Sequence, residues 1–193
     1  MRLVLAEEFK DAEFREARDA REALSLLEQG RWDLLLLDIS LPGRSGLDLM
    51  GEIKKLQPDL PVLVVSAHPE EEFGVRALRT GARGYVGKEQ PVKDLLNAVR
   101  TVLEGGRYIG TKLAERLAVE MAHDFQAPQQ RLSGREFEVL RLIARGENPK
   151  SIAATLSLSP KTVSTYRSRL LQKLHLKSDA ELVRYALQNH LVE

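Results

Sequence analysis

The sequence predicts an open α/β domain with a doubly wound parallel sheet, followed by an all-α domain of four helices that contains a helix-turn-helix. Three observations lead there. Residues 2–6, 34–37 and 61–65 are apolar at consecutive rather than alternate positions, the pattern of strands covered on both faces. Helix-spaced segments separate these runs, so strand and helix alternate along the front of the chain. After Leu132 no strand-like run recurs, and helix-start signals crowd together.

The run 2–6 reads as a first strand ending at Glu7-Glu8, and 13–17 as a second. Only Glu8 to Asp11 connects them, whereas parallel neighbours need a crossover of roughly 10–12 residues or more. A helix absent from the sequence is therefore preferred over a real hairpin. Residues 20–29 place Ala23, Leu24 and Leu27 on one helical face, and the leucine strand 34–37 ends at Asp38. Residues 47–56 carry Leu49, Met50 and Ile53 at helical spacing, and 61–65 is a strand leading to Ser66. A helix over 70–80 stops at Gly81, strand 84–87 leads to Lys88, and a helix over 92–103 stops at Gly105-Gly106. This closes a first domain, 1–105. Residues 106–131 connect, with a helix over 111–122 and a polar, proline-broken stretch after it. In 132–193, Ser133 with Glu136 and Ser178 with Glu181 fit capping boxes, while Asn148-Pro149 and Ser159-Pro160 fit an N-cap followed by proline. Four helices are expected near 134–145, 149–156, 160–175 and 179–188.

Composition narrows the classes. With 193 residues, 43% hydrophobic and 30% charged, the chain is neither disordered nor collagen-like. The net charge of +1 names no partner, but its distribution does: 132–193 holds ten Lys/Arg against six Asp/Glu, leaving the front acidic by three charges. The absence of cysteine excludes a disulfide framework, a thiol nucleophile and a thiolate metal site, and allows a reducing compartment. The opening apolar run is too short for a signal peptide, and nothing approaches the ~20 apolar residues of a membrane span. A soluble cytoplasmic protein without a membrane partner is expected.

Polar groups gather where strands end. Asp38, Glu7-Glu8, Ser66 and Lys88 each follow a strand, and ligand sites of open α/β sheets lie at that edge. Taken singly, Ser66 reads as a strand-end hydroxyl and Lys88 as a solvated lysine. Together they make an acid trio, a hydroxyl and an ammonium. Crowded carboxylates call for a hard cation, and oxygen ligands suit Mg²⁺. With the trio neutralised, Asp38 can attack phosphorus while Ser66 and Lys88 hold phosphoryl oxygens.

These residues resemble the receiver domain of bacterial two-component response regulators, over roughly 1–105. The resemblance rests on the acid pair, on Leu37-Asp38-Ile39-Ser40-Leu41-Pro42-Gly43, on Ser66-Ala67, and on Gly84-Tyr85-Val86-Gly87-Lys88 with Pro91. It implies a flavodoxin-like fold and Asp38 as the acceptor of phosphate from a sensor histidine kinase. It also implies Mg²⁺ held by Glu7, Glu8, Asp38 and the Ser40 carbonyl, and Tyr85 as a rotameric switch that turns inward. Two departures stand out: the family usually has at least one Asp where this chain has Glu7-Glu8, and the first helix is missing.

Residues 159–177 carry Lys161, Arg167, Arg169, Lys173 and Lys177 and no acid. They follow a short helix and a tight Ser157-Leu158 turn, which is helix-turn-helix spacing with the second helix as reader. Val163, Leu170, Leu171 and Leu174 face the core. This half is similar to the LuxR-type domain of the NarL/FixJ family, through Leu132-Ser133-Gly134-Arg135-Glu136 and Leu158-Ser159-Pro160-Lys161-Thr162-Val163 with Tyr166, in wording nearest a BvgA/GacA-like branch. The resemblance places Ser164, Thr165 and Ser168 at base edges, and Lys161, Thr162, Tyr166, Arg167, Arg169 and Lys173 on phosphates. Leu182, Val183, Ala186 and Leu187 divide between core and a dimer contact.

The combined expectation is a phosphorylation-responsive transcription regulator, not an enzyme, that binds double-stranded DNA and pairs as a homodimer when active. Two alternatives stand beside it. In one, the acid pair and lost helix leave a phosphate-independent module for dimerisation or ligand sensing. In the other, Asp38 serves an aspartyl-phosphate phosphatase. Ser40 weakens the latter, because hydrolases of that type carry a second Asp there as general acid/base.

Overall fold

The computed structural model describes residues 1–122, 132–189 and 191–192. In chain order the elements are α1 (Arg2–Glu8), α2 (Ala20–Gln29), β1 (Leu35–Leu37), β2 (Ser40–Leu41), β3 (Arg44–Ser45), α3 (Gly46–Leu56), β4 (Val62–Ser66), α4 (Glu70–Arg79), β5 (Gly84–Gly87) and α5 (Val92–Leu103). Then come α6 (Thr111–Ala122), α7 (Gly134–Ala144), α8 (Pro149–Thr155), α9 (Pro160–Leu174) and α10 (Asp179–Gln188).

The main sheet is parallel, in the order β1-β4-β5, with Leu37 opposite Val64 and Ser66 opposite Gly87. Its consecutive apolar residues divide between two layers. Val62, Val64 and Tyr85 meet Leu49, Met50 and Ile53 of α3 and Phe73 of α4 on one face. Leu63, Val65 and Val86 meet Leu95, Ala98, Val99 and Val102 of α5 on the other. Burial on both sides explains why these strands do not alternate. Gly84 is required where it stands, because a Cβ there would run into the Tyr108 carbonyl, which bridges to the β5 edge.

The expected first two strands are not strands. Residues 2–8 form α1, whose buried Leu5 packs with the α5 layer, and 13–17 lie in irregular structure. The connection of four residues is too short for a crossover, so 2–6 and 13–17 cannot lie as parallel neighbours in the sheet. A helix satisfies its backbone internally, and Leu, Ala and Glu favour it. Among the described residues, one edge of β1 is consequently left without a neighbouring strand. A cavity of about 1180 Å³ runs along that edge, lined by Leu5, Phe14, Leu27, Leu35 and Leu37 and ending at Asp38 and Lys88.

The segment expected to connect the domains is partly docked. α6 packs on α4, with Leu113 fully buried over Gly74, where any Cβ would collide with it. At the α6 start, the buried Glu70 carboxylate lies against Gly110 and accepts from Gln90 Nε2 at 3.3 Å. The polar stretch of the expected linker, 123–130, lies outside the described residues.

The four C-terminal helices fall where the caps put them. Ser133 and Glu136 form a full capping box on α7, Asn148 caps α8, Ser159 caps α9 and Ser178 caps α10. α7 is the centre: it packs on α8, α9 and α10, and also on α3 and β3 of the first domain. The apolar cluster therefore runs unbroken from Val64 through Phe73 and Phe137 to Leu140 and Leu182.

Candidate phosphoacceptor pocket and nucleic-acid interface

Asp38 leaves β1 at the carboxyl edge, and the chain then turns back through the β2–β3 hairpin. Gly46, at the start of α3, donates to the Ile39 carbonyl at 2.7 Å, and a Cβ on it would overlap the Asp38 carbonyl. A glycine is thus what lets α3 close against the acceptor loop. The Asp38 carboxylate accepts from the Ser40 amide at 3.0 Å and from Lys88 Nζ at 2.5 Å. Lys88 is set by its own amide, which donates to the Ser66 carbonyl at 2.7 Å. At 43% and 27% exposure the Lys88–Asp38 side chains are half in water, so the pair is worth roughly 0–1 kcal/mol of stability. Its value lies in placing an ammonium beside the carboxylate.

Ser66 is fully buried, and its Oγ accepts from the His68 amide at 3.1 Å. Asp38, Ser66 and Lys88 therefore share one strand-end edge, as the sequence predicts, although the Ser66 hydroxyl lies inside. Tyr85 is also fully buried, its hydroxyl donating to the His68 carbonyl at 2.7 Å, and burial pushes its pKa up. The ring expected to turn inward as a switch is already seated there, filling the layer between β5 and α4.

The metal set is not assembled. Glu7 and Glu8 sit on α1, and the Glu8 carboxylate pairs with Arg100 of α5 instead of reaching Asp38. Among the described residues no three carboxylate, imidazole or thiol side chains converge. The cause is the helix that replaces the first strand: the acid pair was expected at a strand end beside β1 and lies on the α5 layer. The donors at Asp38, one carboxylate already bonded to an ammonium plus the Ser40 carbonyl, do not fit the oxygen-rich octahedron of Mg²⁺.

His68 escapes sequence reading, since nothing in its spacing signals a site. Its Nε2 lies 3.0 Å from Ser40 Oγ, and its ring stacks at 4.6 Å on Phe73, which meets Phe137 of α7 edge-on at 5.3 Å. Burial, with Arg141 nearby, holds its pKa below the usual histidine value. The acceptor pocket thus touches the domain interface. There the Asp48 carboxylate of α3 accepts from the Gly134 amide at 2.6 Å and the Arg135 amide at 3.3 Å, satisfying orphan donors of α7. Glu72 of α4 pairs with Arg141 and with Arg145, the latter at 2.8 Å, and Arg76 donates to the Leu132 carbonyl.

The second cluster is α9. Val163, Leu170 and Leu174 are buried, while Leu171 and Tyr166 are partly covered. Lys161, Ser164, Thr165, Ser168, Arg169 and Gln172 are exposed along one side, so the docked first domain leaves this face open. Ser164, Thr165 and Ser168 each donate to the carbonyl four residues back, at 3.1 Å, and so present acceptor lone pairs outward. The cations differ in their engagements. Arg167 pairs with Asp179 at 2.6 Å, and Lys173 Nζ reaches the buried Glu136 at 2.6 Å. Burial would raise the Glu136 carboxyl, but Lys173 and Ser133 hold it below the usual range. Thr162 shares a 2.8 Å hydrogen bond with the cap Ser159. On α10, Leu182 and Ala186 are core, while Leu187 is exposed.

Comparison with known proteins finds a family for each half of the chain. Residues 1–100 match the response regulator receiver domain, and 130–186 the bacterial regulatory proteins of the luxR family. The chain is 40% identical over 185 residues to the oxygen regulatory protein NreC of Staphylococcus carnosus, covering 92% of this chain and 85% of that one. It is 36% identical over 176 residues to the response regulator GacA of Pseudomonas aeruginosa, covering 89% and 81%. Among solved structures, RcsB of Salmonella enterica serovar Typhimurium bound to promoter P1flhDC in the presence of phosphomimetic BeF3- aligns with a TM-score of 0.55 and 26% identity, over 95% of this chain and 90% of that one.

Proposed function

Because the chain belongs to the two-component response regulators that join a receiver to a luxR-type DNA-binding domain, we propose that it accepts a phosphoryl group on Asp38 and answers by binding duplex DNA through α9. On this reading residues 1–105 are the receiver and 132–193 the DNA-binding domain. The observation that carries it is the Lys88 ammonium 2.5 Å from the Asp38 carboxylate at the carboxyl edge of the sheet, with the polar face of α9 exposed on the same molecule.

In the transfer, an Asp38 oxygen attacks phosphorus of the phosphohistidine on a sensor kinase. The P–N bond breaks, a P–O bond forms, and the imidazole leaves. Lys88 lies where the added negative charge develops, while Ser66 and Tyr85 are buried behind the strand-end edge with their hydroxyls on the His68 backbone. Receivers generally bind Mg²⁺ for this step; with Glu7 and Glu8 placed away from Asp38, no step here is assigned to a metal. The relative RcsB is described on promoter DNA with a phosphomimetic, which supports the same partner for α9. Ser164, Thr165 and Ser168 meet base edges, while Lys161 and Arg169, with Thr162, Tyr166, Arg167 and Lys173 beside them, meet phosphates. Two copies joined through receivers or the Leu187 face bind two half-sites far better than one.

Incubating the chain with a small acyl phosphate and measuring intact mass tests this. One phosphoryl adduct is expected, lost in Asp38→Asn. The displaced acid pair favours a second reading, a phosphate-independent regulator, and an unmodified chain that still binds DNA would select it.

A further inference from the structure

We infer that Arg135 is a positioning residue that ties the acceptor loop of the receiver to the turn that sets the reading helix. Its side chain is 3% exposed and lies where three parts of the molecule meet. One guanidinium nitrogen pairs with the buried Glu138 carboxylate one turn along α7. The other donates to the Leu41 carbonyl at 3.2 Å and to the Leu156 carbonyl at 3.2 Å. Leu41 belongs to the β2–β3 hairpin, three residues after Asp38. Leu156 caps α8 and opens the turn to α9, where Ser157 holds a left-handed φ of 54° and Ser159 caps the reader.

The geometry needs an arginine. A planar fork with several N–H donors can bridge a carboxylate and two separate carbonyls at fixed angles, which a lysine ammonium cannot do. The Asp48 carboxylate of α3, accepting from the Arg135 amide, adds to the Leu41 bond a second tie from the receiver to this residue. A shift of the hairpin after Asp38 is thereby passed to the α8–α9 turn, and the pose of α9 changes without its reading face ever being covered. The inference takes α9 as the reader, the reading proposed above.

The test uses the full chain with two variants: Arg135→Lys, which keeps a positive charge facing Glu138, and Asp48→Ala, which lies in the receiver, meets the second domain at the Gly134 and Arg135 amides and touches neither α8 nor α9. Hydrogen exchange is followed at the Leu156 and Leu158 amides, with Leu182 and Ala186 of α10 as an internal check on folding. A pool of random-sequence duplexes is partitioned in parallel to read sequence preference. Exchange at the turn is expected to rise about tenfold in both variants with α10 unchanged. Sequence preference is expected to weaken, while in Asp48→Ala the average affinity for the pool stays within about twofold, because Lys161 and Arg169 are untouched. An Arg135 that serves only its own domain leaves the turn of Asp48→Ala at the wild-type rate, and that result overturns the inference. Failure of the unaltered chain to enrich any duplex counts against α9 as reader, and the exchange measurement still decides the Arg135 link.

Discussion

At the scale of single residues, the acceptor site depends on what is missing from Gly46 as much as on what Asp38 carries. The α3 start is pressed against the Asp38 carbonyl, and a methyl group has nowhere to go. Gly46→Ala is expected to destabilise the chain by about 2–3 kcal/mol, within the range of overpacking, measured by denaturant unfolding. The cations of α9 divide in the same way. Lys161 and Arg169 are exposed, so alanine at either weakens binding to all duplexes and lowers the slope of affinity against salt by about one. Lys173 covers the buried Glu136. Lys173→Ala therefore costs about 1–2 kcal/mol of stability in addition, through a carboxylate left short of a partner. Thermal melts alongside the salt titrations separate the two kinds of cation.

Secondary elements were legible where local chemistry decided them. Serine, asparagine and proline at the helix starts place α7 to α10 to within a residue or two, and the unalternating residues of β4 are buried on both faces as expected, whereas in β1 only Leu37 is buried and its neighbours are half-buried. The first strand was misread because its apolar pattern fits two outcomes, and the choice is made by whether a crossover exists to carry the chain along the sheet. With residues 2–8 helical, Glu7 and Glu8 lie away from the pocket. His68, Asp48 and Arg135 could not be found from sequence, since their roles come from elements that meet only after folding. One element-scale prediction concerns Glu70, buried between the starts of α4 and α6, where burial pushes its carboxyl up. A raised carboxyl gives stability that is full below the ordinary value of 4.5 and is lost as pH rises through the folded pKa. The melting temperature of the wild type relative to Glu70→Gln is thus expected to fall as pH climbs from 4 upward. A constant difference contradicts it.

For the whole molecule, the two domains share one apolar cluster, and the interface lies beside the acceptor pocket rather than over the reading face. Under the proposed function, charge added at Asp38 would act on the β2–β3 hairpin and on His68, which lead to α7 through β3 and Phe73. On that proposal the domain interface is the element a phosphoryl group would bias, and pairing of two such chains on adjacent half-sites would multiply the response. No helix among the described residues is long and apolar enough to cross a membrane. The most direct measurement of this account is duplex affinity with and without prior treatment by an acyl phosphate, in wild type and in Asp38→Asn. Treated wild type is predicted to bind at least about tenfold more tightly, as expected when two linked half-sites are engaged together, with Asp38→Asn unmoved. An equal gain in Asp38→Asn, or none in the phosphorylated wild type, would contradict it.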